Sequence, residues 1–154
     1  MRTINQHAAG IDVGSEQLFV AVVGGPVQIF ETFTESLHAL RDCLLRQGVT
    51  TVAMEATGVY WLPVYEVLEA AGLKVCVVNG AHVKSLPGRK SDMADCQWLA
   101  ELHSCGLLRP AFVPPAQIRQ LRDYVRRLVG VLLPTLPGTG AASEPSPLTA
   151  QPRP

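Results

Sequence analysis

The chain has 154 residues, 47% of them hydrophobic, which is room for one ordinary domain with its own core. No run approaches the ~18 uninterrupted apolar residues of a membrane span, and the opening MRTINQHAAGIDVG lacks the apolar stretch of a secretory signal, so we expect a soluble cytoplasmic protein. Formal charge is +0, yet residues 1–73 carry three Lys or Arg against eight Asp or Glu while residues 74–127 carry nine against four, a split that suggests a polyanion approaching the second half.

Ala8–Val13 is a short apolar run, 18–23 a β-rich one, and Gly24-Gly25-Pro26 a turn signal leading into 27–33: three strands, the latter two a hairpin. Thr34 or Ser36 can cap the next segment, where Leu37, Leu40, Leu44 and Leu45 recur at helical spacing until Gly48. A buried-type strand over 51–54 ends at Glu55, a helix over 60–71 is closed by Gly72, and 73–78 is a further strand. The α/β order is thus β-β-β-α-β-α-β, followed by helices. After Asn79 we expect a linker containing Pro87 and Gly88, then a helix over 92–104 with Ser91 as its cap. Pro110, Pro114 and Pro115 make a connector to a last helix that starts near Ala116 and carries Arg119, Arg122, Arg126 and Arg127 beside an apolar side. From about Val129 the periodicity stops, and the stretch to the end holds six of the twelve prolines, so residues 1–128 are the domain and 129–154 a disordered Pro-rich tail. A change so abrupt, halfway along a helix, is what a frameshifted or truncated reading frame would produce.

The chemistry concentrates in four acids. Asp12 and Glu55 end apolar runs, where an unpaired carboxylate is costly to bury and asks for a cation. If the strand before Glu55 pairs in parallel beside the first, both side chains arrive at the carboxyl edge of the sheet, where ligands gather in open sheets. Asp92 and Asp95, three apart on the expected helix, can add their carboxylates from one face. An all-oxygen set of this kind favours Mg²⁺ or Mn²⁺ over zinc, and two such ions suit phosphodiester chemistry. Each acid also has a plainer explanation: a turn at Asp12, a helix cap at Glu55, a first-turn preference at Asp92 and Asp95. Lys84, Arg89 and Lys90 flank the paired aspartates and are candidates for phosphate contacts, as are Arg119, Arg122 and Arg126; otherwise the last three serve packing or oligomer contacts. Tyr60 and Trp61 could stack on a base but are expected to pack against the sheet. His38 and His103 read as ordinary surface or boundary residues, and Cys43 and Cys76 as small core residues; no C-x-x-C pair is present.

GIDVGS, EATGVYW, LKVCVVNGAHVKSLPGRKSDMADCQWLAELHSCGLLRPAFVPP and IRQLRDYVRR resemble, in order and spacing, the DEDD transposases of bacterial insertion sequences, and the match spans residues 8–127. This resemblance implies a ribonuclease H-like (RuvC-like) mixed five-stranded sheet and places the family's acidic tetrad on Asp12, Glu55, Asp92 and Asp95. It also implies divalent-metal-dependent cutting and rejoining of DNA, with DNA as partner and, in members that choose sites with a transcript of the element, an RNA guide. Full-length members continue through a coiled-coil-like segment into a C-terminal domain that carries a serine needed for strand exchange. Nothing after residue 129 stands in for that domain, so the chain is expected to be incomplete and inactive in recombination alone. The rival readings are a nonenzymatic nucleic-acid-binding fragment and, last, a phosphotransferase of the actin and sugar-kinase type, for which the second nucleotide-binding half is lacking.

Overall fold

A computed structural model describes residues 2–56, 58–87 and 94–132. Five strands form one sheet in the order β3-β2-β1-β4-β5: β1 (Ala8–Val13), β2 (Gln17–Val22), β3 (Val27–Glu31), β4 (Thr51–Glu55) and β5 (Lys74–Val78). β2 runs antiparallel to both β1 and β3, whereas β1–β4 and β4–β5 are parallel. This is the ribonuclease H-like sheet that the resemblance implied. Its parallel half is made by long crossovers: α1 (Thr34–Arg46) intervenes before β4, and α2 (Trp61–Ala70) links β4 to β5.

Side chains alternate across the sheet. Ile11, Val13, Leu18, Val20, Val52, Met54 and Val77 point to one face and meet Leu37, Leu40 and Leu44 of α1 and Val64 and Leu68 of α2. Full burial of a side chain of this size contributes roughly 1.5–3 kcal/mol, so this layer is the main core. The opposite face is covered by α4 (Asp95–Ser104), whose Trp98, Leu99 and Leu102 pack with Val78 and Val83. Ala8 and Ala9 of the central strand are both fully buried, because helices cover both faces there.

The end of α4 is tied down by the amino-terminal segment. The Ile4 and Asn5 amides donate to the Ser104 carbonyl at 2.6 and 2.9 Å, and Asn5 Nδ2 donates to the His103 carbonyl at 2.8 Å. On the other side of the sheet Trp61 packs against the core and meets Tyr65 edge to face at 5.8 Å, as expected, while Tyr60 remains half exposed.

Four local expectations are corrected. Neither Thr34 nor Ser36 caps α1; Phe33 holds the cap position, and Ser36 Oγ accepts instead from the Glu31 amide at 2.9 Å. The stretch after Asn79 is not linker throughout, because α3 (Gly80–Ser85) forms there: Asn79 Oδ1 accepts from the Ala81 amide at 2.9 Å and Val83 is buried. The helix carrying Asp95 starts at that residue, since Ala94 is extended and its amide donates to Gln97 Oε1 at 3.3 Å; Ser91 and Asp92 lie outside the described residues. Cys43 and Cys76 are half-buried rather than interior, and Cys43 Sγ donates to Gln28 Oε1 at 3.1 Å.

Residues 114–154 form a second unit, whose described part is dominated by α5 (Ala116–Leu132). The helix runs through residues 129–132, where periodicity suggested a break; extending an already nucleated helix adds a hydrogen bond with each residue, which offsets the poor propensities of Val and Gly there. The expected Pro-rich tail otherwise falls on 133–154, outside the described residues. Among the described residues no helix is long and apolar enough to cross a membrane.

Candidate functional site

Two adjacent parallel strands bring the first two acids together. β1 and β4 pair in register Ile11↔Met54, so Asp12 and Glu55, one residue further on, stand side by side at the carboxyl ends of neighbouring strands, Glu55 as the last residue of β4 and Asp12 as the next-to-last of β1. Ile11 and Met54 face the main core, hence Asp12 and Glu55 project from the other face, the one α4 covers.

Glycine sets how closely α4 approaches. A Cβ on Gly10 would collide with the Cys96 carbonyl and lie 2.9 Å from Leu99 Cβ, so only glycine lets the first turn of α4 lie against β1. Asp95, in that turn, is thereby placed near Asp12. The electrostatics register it: burial first, and the negative charge of Asp95 second, push the Asp12 carboxyl above its usual range, while Lys84 pulls it back. Glu55, Lys84 and Asp95 line one cleft of about 120 Å³, whose apolar walls are Val83, Leu86, Trp98 and Leu99.

A second glycine shapes the Glu55 side. Gly80, at the start of α3, lies against the Glu55 carboxylate, and any Cβ there would collide with Oε1. Beside Asp12, the Cys96 thiol is buried and its pKa is raised, chiefly by desolvation and further by Asp12 and Asp95, which favours the neutral thiol packed against the sheet.

Of the acids read from the sequence, the fold therefore gathers Asp12, Glu55 and Asp95 at one edge of the sheet. Asp92 lies outside the described residues, as do Arg89 and Lys90. Among the described residues no three Asp, Glu, His or Cys side chains stand close enough to hold a metal ion by themselves. The donor chemistry nevertheless fits a hard divalent cation, because the acids facing the cleft offer carboxylate oxygens and no Cys or His is among its described lining residues.

Lys84 is exposed on α3 at the cleft, where the sequence placed a phosphate contact. Arg119, Arg122 and Arg126 are on α5 in the second unit; Arg122 and Arg126 are exposed, whereas Arg119 is buried and donates from Nη1 to the Pro114 carbonyl at 2.8 Å.

Sequence reading missed three supports of this site. Gly10 and Gly80 matter for what they lack, and nothing in a single sequence marks such an approach. His103 is buried, not a boundary residue: its Nε2 lies 2.7 Å from Thr51 Oγ1, and Thr51 donates onward to the Lys74 carbonyl at 3.1 Å. The hydroxyl proton being committed, His103 Nε2–H is the donor, and burial pushes the imidazole pKa down. The spacing of Cys96, Leu99 and His103 along one helical face was the available signal.

Solved structures that resemble the chain include Thermus thermophilus RuvC in complex with a Holliday junction substrate, 20% identical, with a TM-score of 0.47 over 68% of this chain and 98% of that one, and T. thermophilus RuvC, 19% identical, with a TM-score of 0.46 over 68% and 99%. No curated protein matches the chain. The family model DEDD_Tnp_IS110, described as a transposase, matches residues 9–131, and with four-fifths of the sequence inside that match the chain belongs to this transposase family.

Proposed function

We propose that this chain carries the strand-cleaving site of an insertion-sequence transposase, which acts in the cytoplasm on DNA with Mg²⁺ or Mn²⁺ held by Asp12, Glu55, Asp92 and Asp95. The observation that carries the reading is the placement of Asp12 and Glu55 at the ends of adjacent parallel strands, on the face where Asp95 repels Asp12. Like charges held together in this way cost free energy unless a cation joins them.

When bound, divalent metal supplies Lewis-acid stabilisation of the attacking and leaving oxygens of a phosphodiester. The chain's own groups prepare for that. Gly80 leaves Glu55 its room, Gly10 lets α4 bring Asp95 in, and Lys84 stands where a backbone phosphate can meet its ammonium. The exposed arginines of α5 supply further phosphate contacts, and an RNA guide is the second polyanion that the basic half could hold.

The test is cleavage of a branched or nicked DNA by the full chain in Mg²⁺, compared with Asp12→Asn. Loss of cleavage in the variant with binding retained supports the reading. Equal activity in both, or none in either, favours the nonenzymatic nucleic-acid-binding fragment instead. In the binding arm, replacing Arg122 and Arg126 together lowers affinity and reduces the salt slope by about two; an unchanged slope assigns them to packing or oligomer contacts.

A further inference from the structure

Resting on the metal reading above, we propose that Lys84 is the resident counter-charge of the carboxylate cleft: its ammonium offsets the clustered acids in the metal-free protein and competes with the divalent cation for that role.

The geometry begins with α3. Asn79 fixes its start by accepting from the Ala81 amide, and buried Val83 anchors it beside Trp98 and Leu99. Gly80 is the point of contact with Glu55. Lys84 lies one helical turn after Gly80 and therefore on the same side of α3, which puts its side chain at the cleft that Glu55 and Asp95 also line. Among the described residues it is the one cation of that lining.

The charges facing it come from three elements. Asp12 is the next-to-last residue of β1, Glu55 ends β4 and Asp95 opens α4; Cys96, next to Asp95, has its thiol pKa raised by burial. Asp12 feels Asp95 and Lys84 with opposite signs, so Lys84 relieves part of the repulsion that gathering the acids creates. Among the described residues no ion pair within 4.0 Å ties Lys84 down. Its ammonium thus acts through space, and its flexible four-carbon stem can swing away when a stronger cation takes over the same charge. A displaced ammonium at the rim is then available to the phosphate whose cleavage the metal serves, which couples metal loading to substrate capture.

Thermal denaturation of the full chain across a MgCl₂ titration tests this, with wild type, Lys84→Gln, Lys84→Arg, Asp12→Asn and the Lys84→Gln/Asp12→Asn double variant. Lys84→Gln is expected to lower the metal-free Tm, by less in the Asp12→Asn background, and to lower the half-saturating Mg²⁺ concentration about threefold at moderate salt, since one repelling charge is gone. Lys84→Arg restores wild-type behaviour on both counts. An unchanged Mg²⁺ midpoint in Lys84→Gln overturns the competition, and an equal Tm loss in both backgrounds overturns the counter-charge, leaving Lys84 a structural residue. If wild type itself ignores Mg²⁺ while the Lys84–Asp12 coupling persists, the metal reading fails, the competition is overturned with it, and the counter-charge stands.

Discussion

Gly80 and His103 are the residues whose roles separate most cleanly into site and scaffold. Alanine is the better helix former, by up to about 1 kcal/mol, so Gly80→Ala is expected to leave metal-free stability near wild type or above it. Its methyl group nevertheless displaces the Glu55 carboxylate, and the Mg²⁺-dependent gain in Tm should shrink or vanish; a variant with undiminished gain would mean that Glu55 is not needed for the ion. His103 is buried neutral, and its folded pKa lies below the ordinary value of 6.5. The unfolded chain therefore takes up a proton that the native state refuses. Its contribution is fully present above about pH 6.5 and is lost as pH falls below it through the folded pKa. Urea unfolding from pH 7.5 down should show this fall in wild type and a flatter profile in His103→Gln; parallel profiles would place the titration elsewhere.

At the scale of elements, the docking of α4 decides whether the acids converge at all. Gly10→Val puts a branched side chain where the Cys96 carbonyl and Ala100 amide already sit, and backbone cannot step aside as a side-chain tip can. A cost of about 1–3 kcal/mol is expected from such overpacking, with loss of Mg²⁺-dependent stabilisation; a variant as stable as wild type would show that α4 does not rest on β1 as described. The strands and the first two helices were legible because Val, Ile and Leu recur at periods of two or three to four through them. The carboxylates of Asp12 and Glu55 were legible for the same reason, each interrupting an apolar run at its end. α3 was not, because it opens on glycine, spans only Gly80–Ser85 and holds a single buried side chain, too little to set up a period. The start of α4 was misplaced because Ser91 looks like a cap, whereas the stop is made from inside, by Gln97 reaching back to an alanine with no side-chain oxygen of its own.

For the whole molecule, the sequence pattern led to the five-stranded sheet and to the transposase family, while convergence of the acids depends on contacts between segments far apart in the chain. Gly10 meets residues of α4 some ninety positions later, and Gly80 meets Glu55 across a crossover; neither contact leaves a trace in local composition. The central claim is that Asp12, Glu55 and Asp95, with Asp92, share a divalent ion. Crystals of the full chain grown with Mn²⁺ test it most directly through the anomalous signal of the metal. A Mn²⁺ peak bounded by the carboxylates of Asp12, Glu55 and Asp95 is the expected result. A saturating Mn²⁺ concentration that leaves no peak between these side chains, or places the ion on other ligands, would contradict it.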